Sequence, residues 1–174
     1  MSTRILLVRA VNVGGASLPM AEFRELLASL GATDVRTYIA SGNAVCSVAG
    51  DAAAFDREVE RGIEARFGYF REVMSRLPGE VSAALAGHPF SVVDPTRSYI
   101  SFLSGEPTAA AIEDARELPT GADEWSVVGR ELHLRYENGA GRPDLNVDAL
   151  GRRLGVAMTA RNLRTVHALV TLAG

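Results

Sequence analysis

The chain has 174 residues, 47% of them hydrophobic and 22% charged, with a formal net charge of −3. That length suits one domain or two small subdomains, and no apolar run approaches the roughly 20 residues that span a bilayer. A single cysteine, Cys46, excludes an internal disulfide and a Cys-rich zinc site, and all 18 basic residues are arginine, which excludes a lysine Schiff base and a Walker lysine.

Apolar spacing marks the elements in chain order. Thr3–Arg9 reads as a buried strand around Ile5-Leu6-Leu7-Val8, too short for a signal-peptide core, so a cytoplasmic location is expected. Pro19–Leu30 reads as an amphipathic helix, with Pro19 in its first turn, Gly31 at its end, and Phe23, Leu26, Leu27 and Leu30 at helical spacing. Asp34–Ala40 and Ala44–Val48 read as strands joined through Ser41-Gly42-Asn43, with Gly42-Asn43 as a two-residue hairpin turn. Cys46 falls in the second of them and reads as a buried, inert thiol. Asp51–Phe67 reads as a helix capped by Asp51, with Phe55, Val59, Ile63 and Phe67 as its apolar stripe. Arg71–Ser75 reads as a short strand. The order β-α-β-β-α-β over residues 1–76 is that of the split βαβ, or ferredoxin-like, fold.

Residues 77–97 read as a connector rich in proline and glycine around a short helix, Pro78–Ala86. Residues 98–174 give a strand at Ser98–Leu103, a helix at Pro107–Glu117, and strands at Glu124–Val128 and Glu131–Arg135 with a tight turn at Gly129-Arg130. Helices at Asn146–Leu154 and Asn162–Leu172 follow. The expected class is therefore α+β, with two ferredoxin-like (split βαβ) halves and an extra C-terminal helix. The second half, β-α-β-β-α-α, echoes the first in part. Charge divides unevenly: residues 1–129 hold 11 arginines against 17 acids, net −6, and residues 130–174 hold 7 against 4, net +3. The basic last quarter permits an anionic ligand but falls short of a duplex-binding face.

In a split βαβ the first two strands run parallel, so the loop after the first and the hairpin after the second share one sheet end. Asn12-Val13-Gly14-Gly15 and Ser41-Gly42-Asn43 are thus expected to be neighbours.

Over nearly its whole length the chain resembles the bacterial family catalogued as domain of unknown function 1697. The matching pieces are Leu7-Val8-Arg9 with Val11-Asn12-Val13-Gly14-Gly15, Pro19-Met20-Ala21-Glu22-Phe23-Arg24, Asp34-Val35-Arg36-Thr37-Tyr38-Ile39 and Ser41-Gly42-Asn43-Ala44-Val45. Tyr136 with Asn138-Gly139-Ala140-Gly141-Arg142, and Thr159-Ala160-Arg161-Asn162 with Thr165-Val166, complete the set. The resemblance implies a two-part α+β fold with ferredoxin-like halves and supplies no activity. The chain departs from the family pattern at Ala10, where glycine is typical, at Ala16-Ser17, at Pro143-Asp144, and at Leu163, where tryptophan is typical.

The candidate site residues are Arg9, Asn12, Gly14, Gly15, Ser41, Gly42, Asn43, Arg161, Asn162 and Thr165. Arg9 can act as a fork on an anion, with the Gly14 and Gly15 N–H groups as a cradle. The alternative is a strand-to-helix turn that needs glycine for positive φ, with Asn12 tying the loop to itself. Ser41-Gly42-Asn43 offers a hydroxyl and an amide, or is a plain turn. Arg161-Asn162-x-x-Thr165 is read in the first turn of the last helix, where an arginine opposes the helix dipole unless an anion or an acid such as Glu22 faces it. The loop Asn138–Arg142 is either a lid or a connection. His88, His133 and His167 are scattered, so no metal is expected, and no cofactor is implied.

Two readings of function follow. One is small-ligand or anion binding at a polar site between the halves, with no legible nucleophile or general-base pair to make it an enzyme. The other is a structural or interaction module whose polar motifs tie the halves, or a homo-oligomer, together. Single-stranded nucleic-acid binding is opposed by the acidic first half and the missing aromatic platform. Neither a membrane nor a nucleic acid is an expected partner.

Overall fold

The computed structural model describes residues 1–174. The chain divides into two compact units, Met1–Ser82 with His167–Gly174, and Ala83–Val166.

The first unit contains β1 (Ser2–Val8), α1 (Met20–Ser29), β2 (Thr33–Thr37), β3 (Asn43–Val48), α2 (Ala52–Phe67) and β4 (Val73–Arg76). The strands form one antiparallel sheet in the order β2-β3-β1-β4, the ferredoxin-like arrangement. Residues of β1 and β3 that alternate along the strands, Leu6, Val8, Ala44, Cys46 and Val48, share a core with Phe23 and Leu27 of α1 and Val59 and Ile63 of α2. The period of two on the strands and of three to four on the helices is what makes one face of each element apolar. Asp51 caps α2 as expected, accepting a hydrogen bond from Ala53 N at 2.8 Å. Cys46 is buried and its thiol is pushed up to about 11, first by desolvation and then by the Asp56 carboxylate, so it is inert.

The second unit repeats the plan. After α3 (Pro78–Ala86), which straddles the division, come β5 (Ser98–Leu103), α4 (Ala109–Ala115), β6 (Glu124–Val128), β7 (Glu131–Arg135), α5 (Val147–Leu154) and β8 (Met158–Asn162). The final helix, α6 (Leu163–Ala173), begins in this unit and ends in the first. The sheet order is β6-β7-β5-β8, again antiparallel throughout. Leu103, Leu132 and Leu134 pack with Leu150 and Leu154 of α5. The fold is thus α+β with two split βαβ sheets and a C-terminal helix.

Two local readings need correction. Met158–Asn162 is a strand, paired with β5 from Leu103↔Met158 to Tyr99↔Asn162, and Arg161 and Asn162 lie in it rather than in a helical turn. Its most buried positions, Thr159 and Arg161, are polar, and the face shared with the unit's core offers only Met158 and Ala160, so the period-two apolar signal is short and weak. The second correction is β2, which stops at Thr37 and not Ala40, so residues 38–42 form a longer loop and Asn43 is already in β3. Ile39 has φ +48°, a conformation that ends a strand and that a β-branched residue rarely adopts.

Candidate functional site

The expected neighbours meet. Val8 N donates to Gly42 O at 2.8 Å, extending the β1–β3 ladder to the mouth of both loops. Gly42 has φ +76°, and a Cβ there would stand 2.7 Å from Val11 Cγ2 and 3.2 Å from Val8 O. Only glycine permits this approach of the β1–α1 loop to the β2–β3 loop.

Asn12 is the knot. Its Oδ1 accepts from Leu18 N at 2.9 Å, and its Nδ2 donates to Leu18 O at 3.1 Å and to Ala40 O at 2.6 Å. Its own N–H donates to Ala16 O at 2.7 Å. One side chain therefore closes residues 12–18 into a ring and ties that ring to the facing loop. Asn43, fully buried, donates to Tyr38 O at 3.1 Å and Ser41 Oγ at 2.9 Å, fixing the second loop in turn. A third loop joins them: Arg9 Nη1 pairs with Glu72 Oε1 at 2.9 Å, Arg71 Nε donates to Ala10 O at 3.1 Å, and Tyr69 Oη donates to Ser17 O at 2.7 Å.

Left-handed residues concentrate here: Ala10 (φ +48°), Asn12 (+55°), Gly14 (+58°), Gly15 (+88°), Ile39 (+48°) and Gly42 (+76°). Non-glycine residues in that region cost of order 1–3 kcal/mol each and persist where the surroundings over-determine them. The hydrogen bonds of Asn12 and Arg71 provide that constraint around Ala10 and Asn12.

The side chains named from sequence hold the loops rather than face outward empty-handed, while the backbone does the opposite. The N–H groups of Val13, Gly14 and Gly15, three in succession and all solvent-exposed, donate to nothing within the protein. Successive N–H groups around a turn with alternating backbone hand form an anion-binding concavity. Arg9 is compensated by Glu72, whereas Arg71, with no carboxylate partner, lies 5.1 Å from the Tyr69 ring centroid and leaves a net positive charge beside the turn. Sequence inspection missed Arg71, because its place is set by the pairing of β4 beside β1, not by any motif.

The remaining named residues belong to the second unit. Arg161 is 8% exposed, and its Nη1 donates to Thr159 Oγ1 at 2.6 Å and Ala160 O at 2.8 Å. Burial lowers its guanidinium to about 10, so it remains charged at neutral pH. Asn162 Oδ1 accepts from Thr165 N at 2.9 Å, which makes Asn162 the cap of α6 and accounts for both residues locally. Glu22, weighed as a partner of Arg161, instead pairs with Arg66 at 3.4 Å. The Asn138–Arg142 loop is anchored next to Asp123, whose buried carboxylate accepts from Glu137 N, Asp144 N and Leu145 N. His88 and His133, 45 positions apart, meet with Nδ1 atoms 3.1 Å apart, and no cluster of three or more metal-binding side chains is present. Two cavities of the second unit, about 300 Å³ and 450 Å³, include none of the candidate site residues.

Comparison with known proteins agrees with this architecture. The chain matches the conserved bacterial protein SP0830 from Streptococcus pneumoniae with a TM-score of 0.80 and 21% identity, over 99% of each chain. At that identity the likeness speaks for the fold alone. No curated protein matches. No helix is long and apolar enough to cross a membrane. The family model for proteins of unknown function DUF1697 matches residues 1–133, and the chain belongs to that family.

Proposed function

We propose that the protein binds a small anion at the β1–α1 turn of its first unit, on the backbone N–H groups of Val13, Gly14 and Gly15. The observation that supports this reading is the run of three unpartnered, exposed N–H groups in a turn whose every neighbour is fixed. A pre-formed cradle loses little entropy on binding, which is where weak anion sites gain affinity. Arg71 supplies the charge, and Asn12, Asn43 and Arg9 hold the frame. The arrangement offers no general base or nucleophile beside the turn, so the proposal is of binding and assigns no reaction.

The test is a thermal-shift panel of inorganic phosphate, nucleotides and small carboxylates. A ligand at a hundred times its Kd stabilises by about 2.7 kcal/mol. Arg71→Gln is expected to weaken binding about tenfold, or about 1.4 kcal/mol. Absence of stabilisation by every anion, or stabilisation indifferent to Arg71→Gln, contradicts the reading.

A second reading, an interaction module, is favoured by a separate observation. Val13, Ile39 and Phe70 are 59%, 54% and 48% exposed, and each belongs to one of the three loops at this sheet end. Apolar tips on a stiff loop frame suit protein docking. Ile39→Ser together with Phe70→Ser would leave anion binding intact and abolish such docking.

A further inference from the structure

The four-stranded sheets have free edges, and the chain treats them differently. At β4 the outward N–H groups are those of Val73 and Ser75, because Arg9 N donates to Glu72 O and the ladder with β1 alternates from there. Helix α2 covers both: Glu60 Oε1 accepts from Val73 N at 2.9 Å, Asp56 Oδ2 accepts from Ser75 N at 3.1 Å, and Arg57 Nη2 donates to Val73 O at 3.1 Å. At β2 a register shift between Thr33 and Arg36, with Asp34 at φ +53°, spoils the edge. Bulges, charges and covering side chains are the usual protections against strand-to-strand association.

The β6 edge has no bulge and no side chain capping its outward groups; its one charged residue, Glu124, is paired with Arg135 of β7. Leu103 N donates to Arg130 O and Tyr136 N to Arg97 O, so the even-numbered residues of β7 bond to β5. Glu131, His133 and Arg135 then bond to Val128, Ser126 and Glu124, and Trp125 and Val127 turn both N–H and C=O outward. A groove of about 450 Å³ runs along this edge, lined by Phe90, Ile112, Arg116, Glu124, Trp125 and Val127.

We propose that this groove receives the same strand of a second copy of the chain, antiparallel about a two-fold axis through Ser126. In that register Trp125 faces Val127 of the partner subunit and the reverse, so each outward N–H meets an outward C=O. Glu124 falls opposite Val128 of the partner subunit, not opposite its own equivalent, so no like charges meet. The exposed Val128, 54% accessible, is covered by Glu124 of the partner subunit, whose carboxylate is balanced by Arg135 of its own β7. The strand is thus self-complementary in hydrogen bonding and brings no like charges together, as a two-fold interface requires.

Sedimentation of the full chain over a concentration series, up to roughly 100 μM, tests this in the range of weak association. A reversible dimer is expected. Val127→Pro removes an outward donor without touching the β6–β7 ladder and should give a monomer with unchanged circular dichroism. Val128→Glu sets a carboxylate opposite Glu124 of the partner subunit twice over and should raise the dissociation constant at least about tenfold, whereas Val128→Lys should not. Because Val128 is on the surface, the Glu and Lys pair decides the matter even if Val127→Pro fails to fold. A wild-type monomer throughout, including one that captures some other extended peptide, overturns the proposal. So does a dimer indifferent to Val127→Pro or to Val128→Glu.

Discussion

Single residues carry the strain and the ties of the β1–α1 turn. Ala10 occupies the left-handed region at φ +48° where its family typically has glycine, at a cost of roughly 1–2 kcal/mol. Ala10→Gly relieves that cost and loosens the unfolded chain by about 0.4–1 kcal/mol. The net expectation is a gain of about 0.5–1 kcal/mol, seen as a higher denaturation midpoint with an unchanged slope. Asn12→Ala acts in the opposite sense. It leaves Leu18 N without its partner and frees the exposed Ala40 O to water, and should cost about 0.5–1.5 kcal/mol, while abolishing anion binding as the ring of residues 12–18 opens. The Asn12 tie was readable in the sequence as a possibility, since asparagine beside a glycine pair commonly bonds its own loop. What could not be read was the partner Ala40, which arrives through the sheet.

His133 shows the same limit from another side. It is 1% exposed, and burial, with His88 beside it, depresses its imidazole from 6.5 to about 4. The folded state therefore binds fewer protons than the unfolded chain between those values. Stability from this residue is fully present above pH 6.5 and is lost as pH falls toward 4, by up to about 3 kcal/mol. Denaturation across pH 4 to 7 should show that fall, and His133→Gln should flatten it. Nothing in the spacing of His88 and His133 foretold their meeting.

Elements were legible where their apolar periodicity was strong and hidden where polar residues face inward. The stripe of α2 and the alternation of β5, β6 and β7 place those elements within a residue or two of their observed ends. Strand β8 was missed because its buried positions are Thr159 and Arg161. The carboxylates of α2 could likewise be taken for a solvated face, yet Asp56 and Glu60 are 7% and 3% exposed because they complete the β4 edge. Glu60→Ala leaves Val73 N unsatisfied and should cost about 1–3 kcal/mol, with a new tendency to self-associate through β4. Glu60→Gln retains an acceptor and should lose much less, and light scattering beside denaturation separates the two effects.

At the scale of the whole chain, two split βαβ sheets were inferable from element order, because that topology follows from which hydrophobic faces must be covered and in what sequence. The proposed cradle was legible in part: the glycine pair announced the Gly14 and Gly15 N–H groups, whereas the Val13 N–H and the Arg71 charge come into place only through the folded loops. The central claim is that Val13, Gly14 and Gly15 form an anion cradle held open by Asn12 and charged by Arg71. Amide-resolved NMR of the full chain during titration with inorganic phosphate tests it most directly. The expected result is saturable movement of the Val13, Gly14 and Gly15 amide signals, weakened in Arg71→Gln. Signals of those three amides that stay fixed up to saturating phosphate would contradict it.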